Sequence, residues 1–230
     1  MIKHHPTFAL LKNFVDGELP ASISAGIAIH ADMCEKCRSY IAQLTEQVAE
    51  SSFEFEAAFL DRFTVDESKN LDEVAEINFE DMINDITASS DIENIPAKKE
   101  KFISFNKQAY AIPPALRNMS LGKTAHIGKL SRARVQLDEN EIHTSLLHIE
   151  PGGGVPEHTH KGFELTLLLD GSFEDENGIY VKGDFIMLEG SHKHHPISGK
   201  GCLCYTVAND ALHFTQGINK LLNPIGAFIY

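Results

Sequence analysis

The chain is predicted to fold as two domains, a small helical bundle followed by a closed or sandwiched β-domain. Three observations carry that expectation. Apolar residues recur at helical spacing through roughly the first ninety positions and then give way to short alternating runs between turns. A length of 230 residues accommodates two modest domains. The charge also divides: residues 1–96 hold six basic and nineteen acidic residues, which accounts for the whole net charge of −13, while residues 97–230 balance to zero.

The first helix reads from Phe8, Leu10, Leu11, Phe14 and Val15, and Asp16-Gly17-Glu18-Leu19-Pro20 breaks it. A second runs from Pro20 to His30, with proline tolerated in the first turn. A third runs from Glu35 to Ser51, with Tyr40, Ile41, Leu44 and Val48 along one face. Residues 53–65 are apolar and fit either a helix or an extended arm. Leu71 to Ile86 forms an amphipathic helix amid acidic residues. The domain boundaries follow: a helical domain over 1–88, a polar linker over 89–100 and a β-domain over 101–230.

In the β-domain the clearest strands are Arg132–Leu137, Ile142–Ile149, Phe163–Leu169, Gly178–Val181, Phe185–Leu188 and Cys202–Val207. Gly152-Gly153-Gly154, Asp170-Gly171, Asn177-Gly178 and Lys182-Gly183-Asp184 supply the turns. Many short strands at close spacing argue for closure or a sandwich.

No apolar run approaches the roughly 18 residues that span a bilayer. The opening Met1-Ile2-Lys3-His4-His5-Pro6 lacks the apolar core of a signal peptide. A cytoplasmic location is expected. Acidity in the helical half repels nucleic acid and steers basic protein surfaces toward it, and no basic recognition helix is present. Direct DNA binding is disfavoured.

Four cysteines in two close pairs, in a reducing compartment, point to metal ligation or redox chemistry rather than a disulfide framework. His30-x3-Cys34-x2-Cys37 straddles a helix end and the turn after it, and imidazole with thiolate is the donor set tetrahedral zinc prefers. His5 or His4 would complete the set. The same Cys spacing serves redox dithiols, but those sit between a strand and a helix, and no strand precedes Cys34.

The second constellation is Gly152-x5-His158-x-His160-x3-Glu164-x6-Gly171. Alternate residues of a strand face one side, so His158 and His160 can share a cavity and Glu164 can join them from the next strand. Eleven residues after Gly183 stands His194, with His192 and His195 as competitors for a fourth position. Three imidazoles and a carboxylate suit zinc, iron(II), manganese or nickel. Cys202 and Cys204 share a strand face and read as small buried core residues, with an oxidisable pair as the functional alternative.

These motifs carry two resemblances. The Gly152–Gly171 pattern matches the first motif of the cupin superfamily residue by residue. Gly183 and His194 fit its second, although Glu189 and Ser191 stand where that motif has proline and glycine. The resemblance implies a cupin β-barrel (double-stranded β-helix) with His158, His160, Glu164 and His194 on one metal. The opening Lys-His-His, the helix beginning Ala-Leu-Leu, the spacing from His5 to His30, the H-x3-C-x2-C run and the later β-domain together resemble the ChrR family of zinc-binding anti-sigma factors. That resemblance spans nearly the whole chain.

It implies a zinc-stabilised helical bundle with His5, His30, Cys34 and Cys37 as ligands, and it favours zinc in the barrel. The bundle would insert between the two main domains of an extracytoplasmic-function sigma factor and occlude its polymerase-binding surfaces. The barrel would respond to reactive oxygen, either singlet oxygen or an organic peroxide. The rival expectation is a metal-dependent cupin enzyme, a dioxygenase or isomerase, with a regulatory N-terminal module. No general base or substrate-binding arginine stands out to support it, so a non-enzymatic regulator is expected.

Overall fold

The computed structural model describes residues 1–60, 79–89, 100–159, 162–190, 192–209 and 213–214. These form two compact units, one of residues 1–49 with 101–230 and one of residues 50–100.

In the first unit, β13 (Cys202–Ala208) is buried along its whole length, as a sheet covered on both faces requires. It pairs antiparallel with β6 (His143–Ile149) on one side and with β9 (Phe163–Asp175) on the other. Outward from β6 lies β5 (Leu130–Gln136), while β10 (Gly178–Val181) and β11 (Phe185–Glu189) both pair with β9. The side-chain period of two then sorts residues between two cores. Leu203, Tyr205 and Val207 of β13 join Leu165 and Leu167 of β9 in a core shared with the first helices. Cys202, Cys204 and Ala208 join Leu168, Leu147, Ile149 and Ile186 on the opposite, inner face. The result is the expected helical module followed by a cupin-type β-domain.

The helices are α1 (Phe8–Val15), α2 (Ala21–Met33) and α3 (Glu35–Leu60). Thr7 caps α1, its hydroxyl accepting from the Leu10 backbone N–H. α2 is apolar around much of its circumference, and Ile23, Ala25, Gly26, Ile27, Ile29 and His30 are all buried. Such a helix belongs in a core, and α2 supplies much of the apolar surface between α1 and the outer face of the sheet. Its N-terminus has no side-chain cap of its own. Glu139, from the loop between β5 and β6, accepts a hydrogen bond from the Ser22 N–H at 3.1 Å instead. The Tyr205 hydroxyl donates to the Ser22 carbonyl at 2.8 Å.

Gly26 marks the closest approach of α2 to the sheet, where an added Cβ would lie 2.8 Å from Leu165 Cδ2 and 3.4 Å from Tyr205 Cε1. Gly26→Val should therefore lower the unfolding free energy by about 1–3 kcal/mol, the usual cost of overpacking a core. Urea melts of the two proteins measure this, and an unchanged midpoint would refute the close packing.

Three local readings change. The strand expected to stop at Leu169 continues through Asp170-Gly171 to Asp175, because Gly171 (φ +74°) bends it rather than ending it. A side chain there would strike the Gly201 carbonyl, and the register against β13 shifts at Leu203/Cys204. Gly153–Gly154 form a short strand paired with Ile197–Ser198 instead of a simple turn. Along α3, Cys37, Ile41 and Leu44 form the stripe packed into the core, while Tyr40 and Val48 are exposed.

α3 extends nine residues beyond the expected Ser51, and residues 53–60 are helical; residues 61–65 lie outside the described set. In the second unit, α4 (Phe79–Ala88) carries Glu80 and Asp81 in its first turn, where acidic groups suit the helix dipole. Its Met82, Ile83 and Ile86 are exposed. Residues 71–78 of the expected amphipathic helix are not among those described. No described helix is long and apolar enough to cross a membrane.

Candidate metal centres

The end of α2 and the first turn of α3 bring His30, Cys34 and Cys37 together, and the extended chain ahead of α1 lays His5 across them. Each offers one donor atom, and the four lie within 4.8 Å of one another. His5 Nδ1 is 3.4 Å from His30 Nε2, and His30 Nε2 is 3.3 Å from Cys37 Sγ. His5 Nδ1 is 3.4 Å from Cys34 Sγ and 3.5 Å from Cys37 Sγ. Zinc–nitrogen and zinc–sulfur bonds of about 2.05 and 2.3 Å give tetrahedron edges of about 3.4 Å between nitrogens and about 3.6 Å between nitrogen and sulfur. The donor set fits a tetrahedral ion closely.

Electrostatics agree. Burial, followed by the neighbouring Cys34 thiol, pushes the Cys37 thiol up to about 12. Burial holds the His30 imidazole below its ordinary value despite the Gly183 carbonyl, and burial together with Lys36 does the same at His5. Two thiols and two imidazoles from three segments face one point, and a bound cation there would favour the thiolate form and cross-link those segments.

His30 takes its orientation from the β-domain. Its Nδ1 lies 2.7 Å from the Gly183 carbonyl, so Nδ1–H donates and Nε2 keeps its lone pair for the cluster. Asp184, next in the turn between β10 and β11, is fully buried. It accepts from the backbone N–H groups of Lys3 (2.7 Å), His4 (3.0 Å) and Val181 (2.8 Å). Burial opposes the Asp184 charge, but these N–H donors outweigh it and hold its pKa below the usual range. The Phe185 N–H donates to the His4 carbonyl at 3.0 Å, which completes the clamp on residues 3 and 4. His4 itself turns away from the cluster and packs against Tyr180, with ring centroids 4.8 Å apart.

The second cluster lies on the inner face. His158, Glu164 and His194 are all buried, and one donor atom from each lies within 4.8 Å of the others. His158 and His194 sit on a reciprocal backbone bridge, N–H to carbonyl at 3.2 and 3.3 Å, which brings their rings to 4.2 Å. Glu164 precedes Leu165 on β9, so strand parity turns it inward. His158 Nδ1–H donates to the Pro156 carbonyl at 2.8 Å, which leaves Nε2 as the donor atom.

His194 Nε2 is 3.2 Å from Glu164 Oε2. Burial works against a charge on His194, yet the Glu164 carboxylate, with Asp175 behind it, raises its pKa. A carboxylate and two imidazoles meeting in a buried pocket suit a divalent transition metal. His160 lies outside the described residues.

Of the competitors, His192 is exposed and lines an open groove of about 600 Å³ beside His4, His5 and Tyr180. His195 hydrogen-bonds through its backbone N–H to Glu176, and its ring lines a separate cleft with the Gly152–Gly154 run. The Cys202 and Cys204 sulfurs lie 4.0 Å apart in the inner core. Cys202 and complete burial hold the Cys204 thiol well above its ordinary range. Sequence reasoning found Gly183 as a turn and motif glycine but not the hold of its carbonyl on His30, and it missed the roles of Asp184, Asp175 and Tyr180. For Asp184 the only signal was its place in the Lys-Gly-Asp turn.

The fold and the two clusters together define a cupin-type domain joined to a helical module with a candidate metal centre of its own. Residues 122–211 match the family model described as the ChrR cupin-like domain. Over 225 residues the chain is 26% identical to the anti-sigma-E factor ChrR of Cereibacter sphaeroides, covering 97% of each protein. It also superposes on the crystal structure of Rhodobacter sphaeroides SigE in complex with the anti-sigma ChrR. That match has a TM-score of 0.61 at 24% identity and covers 90% of this chain and 100% of that one, a likeness of fold. Residues 122–211 thus resemble the ChrR cupin-like domain, and the chain resembles ChrR from end to end.

Proposed function

We propose that the chain is an anti-sigma factor. Its helical domain, residues 1–88, sequesters an extracytoplasmic-function sigma factor, and its cupin domain, residues 101–230, receives the signal that ends sequestration, with 89–100 as the linker. The observation that carries this reading is the extent of the likeness to ChrR, 97% of both chains. The donor geometry around His5, His30, Cys34 and Cys37 supports it, because a tetrahedral ion would hold these short helices in one shape. The acidic surplus of residues 1–96 suits a basic protein partner.

Zinc is the proposed ion in the helical domain. A divalent transition metal, zinc by family likeness, is proposed on His158, His160, Glu164 and His194. The proposed site of action is the cytoplasm, and the proposed signal is singlet oxygen or an organic peroxide. The role is regulatory and not catalytic. Co-expression with extracytoplasmic-function sigma factors, affinity capture and transcription in vitro test it. A stoichiometric complex that silences sigma-dependent transcription is expected. Failure to retain any such sigma factor, with transcription unaffected, would refute the proposal.

A further inference from the structure

The inner face of the sheet is not apolar throughout. Along β5 its positions are Leu130, Arg132 and Arg134; Leu130 lies in the inner core, so strand parity turns both arginines to that same face. Both are half-buried. Opposite them on β6 stand Leu147 and Ser145, and Ser145 is in turn opposite Thr206 of β13. His143, exposed at the start of β6, lies on the same face at the rim. These groups feel one another's charge. After burial, Arg134 and Arg132 hold the His143 imidazole below its ordinary value, and burial with Arg134 lowers Arg132.

Two features of this group point to a ligand. Guanidinium groups stay charged at any ordinary pH, so two permanent cations stand side by side where partial burial weakens screening. The inner positions of β5, β6 and β13 carry no acidic residue, and the first one met across the sheet is Glu164 of β9. Such a field attracts an anion. The second feature is Ser145, which is only 2% exposed and whose hydroxyl makes no hydrogen bond to any described residue. A donor buried that deeply normally has a partner, and this one lies directly opposite Arg134. The neighbouring Thr206 hydroxyl is already engaged, donating to the Ser145 carbonyl at 3.4 Å.

We propose that Arg132, Arg134 and Ser145 form a binding site for a small organic carboxylate, with the rest of the ligand directed across the sheet toward Glu164. A guanidinium fork matches the two oxygens of a carboxylate. The span sets the size. From β5 to β9 is three strand spacings, about 14 Å between backbones, and arginine and glutamate side chains reaching in from either end cover most of it. On the row that ends at Glu164, the short side chain of Ala208 separates it from His143. What remains suits a ligand of few heavy atoms. A carboxylate is favoured over inorganic phosphate because its far end is uncharged and can approach Glu164, whereas phosphate carries charge on every side. The site goes beyond the anti-sigma reading and does not depend on it.

The test titrates the whole protein with pyruvate at constant ionic strength, following the pyruvate methyl signal by NMR, and repeats the titration with inorganic phosphate as competitor. Wild type is compared with Arg132→Gln, Arg134→Gln and Ser145→Ala, and with Lys123→Gln, which removes an exposed cation elsewhere. A second measurement needs no variant: phenylglyoxal modifies arginines, and mass spectrometry of the peptide holding residues 132 and 134 shows whether pyruvate protects it.

We expect saturable binding of one pyruvate per chain, weakened about ten-fold or more by either arginine substitution, as loss of a charge-assisted hydrogen bond implies. Ser145→Ala should weaken it less, and Lys123→Gln should leave it unchanged. Pyruvate should slow modification of the arginine peptide. Absence of saturable binding, or equal affinity in wild type and both arginine variants, would overturn the site. Phosphate displacing pyruvate at equal concentration would overturn the carboxylate assignment. Should the arginine variants fail to fold, protection of the peptide in the wild type decides, and unprotected arginines would refute the proposal.

Discussion

Replacing Cys37 by Ser is expected to remove one zinc ion per chain and to abolish sigma-factor binding in the same step. Serine keeps the size of the side chain but not a thiolate, and three donors remain where the tetrahedron needs four. A structural zinc contributes on the order of 10 kcal/mol to the folding of a small module, comparable with the whole stability of many domains. The damage should be local. α2 stays packed on the sheet through Gly26, Ser22 and Ile27, and the Asp184 carboxylate still binds the Lys3 and His4 N–H groups.

What is lost is the cross-link between His5, the end of α2 and the start of α3. Elemental analysis and affinity capture measure the two outcomes on one preparation. A zinc-free Cys37→Ser protein that still bound sigma factor with wild-type affinity would separate the ion from the interaction. Cys34→Ser should behave alike.

This centre was legible because its spacing is local. His30, Cys34 and Cys37 lie within eight residues, and a helix end followed by a new first turn brings them to one side whatever surrounds them. His5 could be favoured over His4 only by family likeness. The choice is physical in the structure, where the Asp184 clamp fixes residues 3 and 4 and leaves His4 against Tyr180. The strands of the β-domain were legible as apolar runs. Cys202–Ala208, buried on both faces, and Phe163–Asp175, continuing through Gly171, show the limits of that reading. A glycine beside an aspartate marks a turn or a bulge equally well, and only the partner strand decides.

The contact between the helices and the sheet was invisible to sequence. Gly26 meets Leu165 and His30 meets Gly183 across gaps of more than a hundred residues. The group that Gly183 supplies is a backbone carbonyl, which any residue carries.

Glu164→Gln and His158→Ala should have the opposite phenotype to Cys37→Ser: sigma binding and inhibition retained, response to oxidant lost. Their effects on the fold are contained. The bridge between His158 and His194 is made by backbone groups and survives loss of the imidazole. Glutamine matches glutamate in shape and still offers the carbonyl oxygen toward His194. Removing one partner of a buried hydrogen bond costs about 1–3 kcal/mol, a change the two apolar cores flanking the sheet can absorb.

Metal affinity is more exposed, because a site of few donors loses its charge when its one described carboxylate becomes neutral, and a donor when His158 becomes alanine. In cells carrying either variant, a sigma-dependent reporter should stay near its uninduced level after exposure to singlet oxygen or an organic peroxide, the proposed signals, whereas the wild type should be induced. A variant inducible to the wild-type level would move the sensor away from this site. The inner-core pair Cys202 and Cys204, with sulfurs 4.0 Å apart, would then be the next place to look.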